Sequence, residues 1–431
     1  MKIILINIII ILIINGCTKK ADEKLINDRI ALLSYTSDLF ISAEANPEDI
    51  KLEPREIINY WSQSGQNPQN DLPHVESKSK LEKKKKLISD SGKFTNTIQP
   101  IVYENTLCNV STKGFLRCLN LLDKKLVFEL DIKYDGDNKY EIIRGGIAYF
   151  DEKIILTDGY GQVKVINSND GSIIWEKNIS LPILSSPLIY RGFINFTTLN
   201  NKVYSINLLS GDIQWSFQTV FDDKKSIFTA TPAAIENLII VPFSNGEIIS
   251  FIFDTGEIVW TENVSKISSL SNFDIKDIAA NPVVSRDKIY TISNNGRLLS
   301  TKLINGLSDW SIETSGSNSP VISGLQMYIV DDEARLICIN KNTGDIYWMK
   351  QLDKIRKNKK NGKLNNWKGP YLINGLLYLI STHGEVLSVS PVSSEILSKN
   401  NLGITGISIN PIILTETVII MDDNSNVYRV D

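Results

Sequence analysis

Few residues in this chain are of the kinds that do chemistry, and their spacing fits little of it. There are two histidines, His74 and His383. His74 lies in a stretch rich in Pro, Asn and Ser, and His383 falls in "STHGEV", a short turn between strand-like runs. Neither has the neighbours that a metal centre or a general base requires. Two acidic runs, "VDDEAR" (330–335) and "MDDNSN" (421–426), carry oxygen ligands of the type calcium takes. Both fall where a sister segment carries Asn294, Asn295 and Gly296, so a hairpin turn explains them better. No Ser-His-Asp set, Cys-x-x-Cys pair or phosphate-binding loop is present. The expectation is no catalytic residue, no metal and no cofactor.

The four cysteines read differently from one another. Cys17 follows a cationic start, Met1-Lys2, and an apolar run from Ile3 to Ile14 broken only by Asn7. That run is too short to span a ~30 Å bilayer comfortably as a helix and reads as a signal-peptide core. It ends in "IINGC", which resembles the lipobox of bacterial lipoproteins, so residues 1–16 are expected to be removed and Cys17 to carry the lipid. Thr18 in place of Asp goes with outer-membrane sorting in such proteins. Cys108 and Cys118 flank the "STKG" hairpin symmetrically and could face each other across two strands; the residues leave open whether they are bonded. Cys338, in a core strand, is expected to be reduced and buried.

What must position these residues is a repeat. "DGSIIW", "SGDIQW", "TGEIVW" and "TGDIYW" end at Trp175, Trp215, Trp260 and Trp348, and a looser copy ends at Trp310. The unit reads Pro, strand, strand to an Asn-Gly-like turn, strand, then Gly-x-x-x-Trp, at a period of roughly 40–50 residues. Its proline positions are Pro100, Gly145, Pro187, Pro232, Pro282, Pro320, Pro370 and Pro411, and Phe128 and Leu397 stand at tryptophan positions. Each part has a physical reason. Proline opens an innermost strand where no ladder bond is lost. Glycine takes the positive φ of a tight turn, and the indole lays a large apolar face between neighbouring sheets.

Eight such units make an all-β, eight-bladed propeller of four-stranded antiparallel blades. The last unit lacks its outer strand, and "LEKKKKLISD" (81–90) is expected to supply it and close the ring. Residues 17–80 then form a lipid-anchored, extended linker and residues 81–431 the propeller, with Trp61 expected to dock on the ring's flank. The chain has 46 basic and 49 acidic residues, which gives no footprint for nucleic acid. The lysine-rich runs at 80–86 and 354–363 read as a solvated strand edge and a solvated loop.

The Gly-x-x-x-Trp turns are similar to the tryptophan-docking motif of pyrroloquinoline-quinone dehydrogenases, where the motif is structural. Little chain is left over here for a quinone cap. With lipobox, linker and eight short-looped blades together, the mature chain resembles the BamB family, the propeller lipoproteins of the outer-membrane β-barrel assembly machinery. "WSQSGQNPQN" is similar to a W-x-Q-x-G-x-N-P signature of its alphaproteobacterial branch, and Phe243 to Pro282 is the best-matching stretch. The resemblance implies a scaffold on the periplasmic side of the outer membrane that binds the POTRA domains of BamA, other components of the complex and, along blade edges, unfolded outer-membrane proteins. Its contact loops fall on "DDKKSIFTATP" and "SNFDIKDIAANP". Lys224, Lys225, Ile227, Phe228 and Asp277 are the contact residues this implies. Ala279 stands where the family has a second acid, and the family's Leu-x-Leu-Arg has no clean match. The readings left as alternatives are a quinone-dependent dehydrogenase and a secreted propeller that binds some other ligand.

Overall fold

In the computed structural model the described residues are 39–43, 46–90, 98–133, 144–220, 230–264, 277–294, 296–355 and 364–431. They form eight four-stranded antiparallel sheets, each built from consecutive strands except the last. Blade 4 serves as the pattern: Ala233–Ile235 innermost, then Leu238–Pro242, Glu247–Ile252 and, outermost, Ile258–Asn263. The innermost strands are short and wholly or nearly buried, whereas the outermost alternate exposed and covered residues. The eighth sheet takes its fourth strand from Lys84–Ile88, which pairs antiparallel with Val427–Val430. The expected closure is therefore present, and it joins the two ends of the ring through a ladder of backbone hydrogen bonds.

The core is not one mass but a series of slabs between blades. One buried cluster joins Ile101, Leu116 and Phe128 of blade 1 to Ile147 and Ile154 of blade 2. The next joins Val165 of blade 2 to Ile194 and Phe196 of blade 3, and the series continues around the ring. A last slab packs blades 7, 8 and 1 together with Ile58, Trp61, Leu72, Val75 and Leu81. A four-stranded sheet cannot bury both faces alone, so every blade depends on two neighbours.

The repeated Gly and Trp act as one joint in each slab. Trp215 in blade 3 donates its indole N–H to Phe253 O of blade 4 at 2.8 Å, and Trp260 does the same to Leu303 O at 2.8 Å. Trp175, Trp310 and Trp348 reach Leu208 O, Lys341 O and Pro391 O. The indole thereby satisfies its one donor, while the rings of Trp175, Trp215, Trp260 and Trp310 lie against the glycine of the following turn, a position held by Ser394 after Trp348. A Cβ on Gly256 would stand 2.6 Å from the Trp215 ring, and one on Gly306 would stand 2.7 Å from that of Trp260. Glycine is thus required twice over, for a φ of +74° at residue 256 and for room beneath the indole.

Two positions differ from the sequence expectation. Ser388 pairs with Ser398 as Ser250 pairs with Trp260, so the tryptophan position of blade 7 is Ser398 and Leu397 points outward, half exposed. A one-residue shift in a strand changes the face on which a side chain emerges. In blade 2 the register Ala148↔Ile155 matches Leu188↔Asn195, which puts Ile147 at the proline position and Gly145 two residues before it. Cys108 and Cys118 are directly opposed in the ladder and disulfide-bonded, and Cys338 is free and buried.

The joint can be separated from the turn by two substitutions. Gly192 has a φ of +78°, but a Cβ added there would meet nothing within 4 Å. Gly192→Ala should cost only the left-handed backbone strain, ~1–2 kcal/mol. Gly256→Ala adds the collision with Trp215 and should cost ~2–5 kcal/mol in all. Chemical denaturation of both variants checks this, and equal losses would mean the indole is not what demands the glycine.

Candidate functional site

A ring has two mouths. Here they are distinguished by which turns surround them. One is rimmed by the turns that follow each innermost strand. The other is rimmed by the connections between blades. An innermost strand has a free edge facing the axis, with backbone groups that need partners.

At the first mouth the segment from Ile50 to Leu81 supplies those partners. Trp61 N donates to Val102 O at 2.6 Å and Val102 N donates to Trp61 O at 2.9 Å. Tyr149 N donates to Ser62 O, Ile189 N to Gln63 Oε1, Ala234 N to Pro68 O and Val284 N to Gln69 O, at 2.7–3.0 Å. Val75 N donates to Leu372 O at 2.9 Å. These six strand residues occupy one register, the second residue before the turn, in blades 1, 2, 3, 4, 5 and 7. Blade 6 is held through a side chain, Glu53 N donating to Ser323 Oγ, and blade 8 through its turn, where Thr415 N donates to Ile58 O, Lys78 N to Thr415 O and Ser77 Oγ to Leu414 O. The segment thus visits every blade and plugs the mouth. This corrects the reading of residues 17–80 as linker throughout: from about Ile50 onward the chain is part of the ring. Trp61 docks on an innermost strand rather than on the outer flank.

His74 belongs to the plug. Gly375 N donates to its Nε2 at 2.8 Å, so Nε2 has no proton and Nδ1–H donates to Glu53 O at 2.8 Å. Both ring nitrogens are spent on backbone. His383, on the opposite rim, holds Leu364 O through Nε2 at 3.1 Å. Under the plug lies an axial cavity of about 60 Å³, lined by Trp61, Asn70, Gln99, Asn281, Asn318 and Asn410. Asn70 Nδ2 donates to Pro282 O at 3.1 Å, whereas Trp61 Nε1 and Asn318 Oδ1 have no protein partner. A polar space of that size suits a few waters at ~10–15 Å³ each.

The second mouth carries charge. Asp277 is fully buried, and Asn294 donates to it twice, Nδ2 to Oδ1 at 2.7 Å and N to the carbonyl at 3.1 Å. Burial lowers the Arg144 guanidinium to about 10, against the pull of the Asp277 charge. Burial also lowers the Lys368 ammonium and raises the carboxyls of Asp332 and Asp423, which face it electrostatically. The two acidic runs are turns, as expected. Asp331 accepts from Arg335 N and Nε at 2.7 Å, and Asp422 accepts from Asn426 N and Nδ2 and from Tyr428 OH. Among the described residues no group of three or more His, Cys, Asp or Glu is arranged for a metal ion.

Asp277 is placed differently from an exposed contact residue. Its carboxylate is used inside the chain, at the point where the connection from blade 4 to blade 5 returns to the ring. Lys224, Lys225, Ile227 and Phe228, like the lipidation candidate Cys17, lie outside the described residues. The plug was the feature that sequence reasoning missed. Its signal was the signature itself, since Trp61, Gln63 and Pro68 each sit at a bond to a different blade.

Known proteins share this architecture. Residues 112–350 match the family described as outer membrane protein assembly factor BamB. The chain belongs to the BamB family. Outer membrane protein assembly factor BamB of Yersinia pestis is 21% identical over 345 residues, covering 79% of this chain and 86% of that protein. Among solved structures, BamB from Moraxella catarrhalis superposes with a TM-score of 0.67 at 16% identity, covering 79% of this chain and 98% of that one. A quinohemoprotein alcohol dehydrogenase from Pseudomonas putida HK5 superposes with a TM-score of 0.65 at 13% identity, covering 86% and 80%. The two structural likenesses speak to the fold alone, and near-equal scores for an assembly factor and an enzyme show how little a propeller says about chemistry. Family membership makes this BamB-family chain a non-catalytic propeller.

The plug also predicts a pH response. Burial raises the Asp71 carboxyl to about 6, with a Ser285 hydrogen bond and the Lys341 charge acting in the opposite direction. A raised folded-state value means the folded chain disfavours the carboxylate, so stability is lower above pH 6 and recovers as pH falls toward 4. Asp71→Asn should therefore stabilise the fold by ~2–3 kcal/mol at pH 7.5 and by only ~0.5 kcal/mol at pH 4. Denaturant titrations at the two pH values measure the difference. A gain that persists undiminished at pH 4 would contradict the assignment.

Proposed function

We propose that this protein is a scaffold lipoprotein of the outer-membrane β-barrel assembly complex, anchored through Cys17 to the outer membrane and facing the periplasm. It binds the POTRA domains of BamA, and through them meets the other components. The observation that carries this reading is the plugged ring. With one mouth filled by the chain's own segment, the inter-blade face is the mouth left for a partner. The connections before blades 4 and 5 leave that face after Val220 and Val264.

In this reading Phe228 and Ile227 are the apolar anchors and Lys224 and Lys225 the polar partners. Asp277 acts at one remove, fixing the end of the neighbouring connection through Asn294. The likeness of residues 61–68 to a W-x-Q-x-G-x-N-P signature is what supports assignment to the alphaproteobacterial type, and the same residues fasten the plug. An accessory role toward unfolded outer-membrane proteins is supported by the edge of blade 6. There Ser42 N donates to Ile346 O at 3.0 Å, so an outer strand already accepts an extended backbone.

The test is co-purification of BamA with the chain from detergent-solubilised membranes. The native chain should recover BamA, and Phe228→Ala combined with Lys225→Ala should reduce recovery at least tenfold, or ~1.4 kcal/mol, with an unchanged melting temperature. Asp277→Asn should lower recovery and stability together. Undiminished recovery by the double variant, or none by the native chain, would overturn the reading.

A further inference from the structure

The strand that closes the ring is unlike the seven other outermost strands. Those strands, such as Leu126–Asp131, Ile213–Gln218 and Ile258–Asn263, carry at most one lysine each and no arginine. Lys84–Ile88 begins with three consecutive lysines, all exposed, and Lys83 before it is already paired with Asp431 through backbone. Lysine on an edge strand ordinarily blocks pairing with another chain. Seven edges of this ring do without that protection, so edge protection alone does not account for the eighth.

The geometry concentrates the charge further. Lys85 stands directly opposite Arg429 in the ladder, a like-charge pair that opposes sheet formation. Lys124, in the turn before the outer strand of blade 1, adds a third cation, and the repulsion of Lys85 makes its proton easier to lose. On the other face of the strand Lys84 and Lys86 both lie over the Tyr428 ring, at 5.6 and 5.3 Å. The nearby acids are engaged elsewhere. Asp431 is bonded to Arg429 and Thr417, Asp123 to Lys125, and Glu416 to Lys78. Glu82 precedes the strip in sequence, but no ion pair joins it to these lysines. Lys83, Lys84, Lys85, Lys86 and Lys124 thus have no carboxylate partner among the described residues.

We infer that the outer edge of blade 8, with Lys83 to Lys86 and Lys124, is a docking strip for the phosphates of an anionic phospholipid surface. The inference rests on the reading that Cys17 anchors the chain to a membrane, which keeps such a surface within reach of the ring. Five uncompensated lysines within one edge match the clusters of about four to eight that bind acidic headgroups. Each contributes about fivefold in partitioning, and the attraction decays over a Debye length of ~8–10 Å at physiological salt. The anchor would hold the molecule at the bilayer, and the strip would set which edge faces it.

The experiment uses the lipid-free mature chain from Thr18 onward, which retains the closed ring and its plug, so that vesicle binding reads the strip without the anchor. It should sediment with phosphatidylglycerol–phosphatidylethanolamine vesicles at about 50 mM salt and not with phosphatidylcholine vesicles, and lose binding at about 500 mM salt. Replacing Lys83, Lys84, Lys85 and Lys124 by Gln should reduce binding by about 10²–10³-fold without lowering the melting temperature. Replacing Lys51, Lys113, Lys302 and Lys350 by Gln removes the same charge elsewhere and should leave binding intact. Equal loss in both variants, no binding to the anionic vesicles, or capture of polyglutamate in preference to vesicles would overturn the proposal, the last in favour of an acidic polypeptide. Lipidation of Cys17 in the native chain is read separately, by mass spectrometry of the N-terminal peptide, so a failed anchor and a failed strip give different results.

Discussion

Everything in this ring depends on an indole of one blade resting on the glycine of the next. The contact does two things that a generic apolar pair would not. Its N–H reaches a carbonyl at a fixed place in the following blade, as from Trp215 to Phe253, which sets the height of one sheet against its neighbour. At Gly256, Gly306 and Gly344 its ring leaves no room for a Cβ, which sets the distance. Because the joint recurs from blade 2 to blade 5, small errors in height and spacing do not accumulate, and the ring comes round to where Lys84–Ile88 can pair with Val427–Val430. Where the joint is weaker the chain compensates. Phe128 in blade 1 still lies on Gly171, and Ser398 of blade 7 faces a slab that is thickened by Ile58, Trp61 and Leu72 from the plug.

That division explains what could be read from the residues alone. The period of Pro, turn glycine and Trp is a local signal repeated many times, so the eight blades, the closing strand and the opposition of Cys108 and Cys118 all followed from it. The plug did not, because its bonds join backbone atoms of Trp61, Ser62, Pro68, Gln69 and Val75 to strand residues spread from Val102 to Leu372. Backbone pairing carries almost no side-chain signature, and a segment of Pro, Asn, Gln and Ser with no hydrophobic period reads as linker. Leu397 was misplaced for the opposite reason. With no tryptophan to fix the register of blade 7, the sequence allowed a neighbouring apolar residue to take the position, and only the pairing of Ser388 with Ser398 decides it. Of the contact residues expected from the resemblance, Asp277 is buried, which the sequence did not indicate, since a carboxylate in a loop carries no mark of whether it faces out or in.

The plug also bears on how one architecture serves enzymes and scaffolds. Innermost strands leave an unpaired edge around the axis, and those groups must bond to something. A cofactor with its cap is one solution, and water is another. Here the chain's own segment does it, donating and accepting at equivalent positions of blade after blade, and leaving a cavity of about 60 Å³. The consequence is a change in where function can lie. Once the axis is filled, differences between the blades matter only on their rims and outer edges, and those are where this sequence departs from its own repeat.

The closing strand is the clearest such departure. It could have been another copy of the tryptophan-bearing outer strand, since blade 8 otherwise follows the pattern of inner strands. Instead it is drawn from the other end of the chain, immediately after the plug, and brings lysines where its sisters bring isoleucine and tryptophan. A cross-strand pair of Lys85 with Arg429 lowers the stability of the very ladder that closes the ring. The long plug compensates in the ring itself, because Ser79 Oγ donates to Val430 O and Leu81 is buried just before the strand begins. The plug therefore holds the two ends of the ring together on the axis side, which leaves the outer edge able to carry a charge that a seam depending on that edge alone would tolerate poorly.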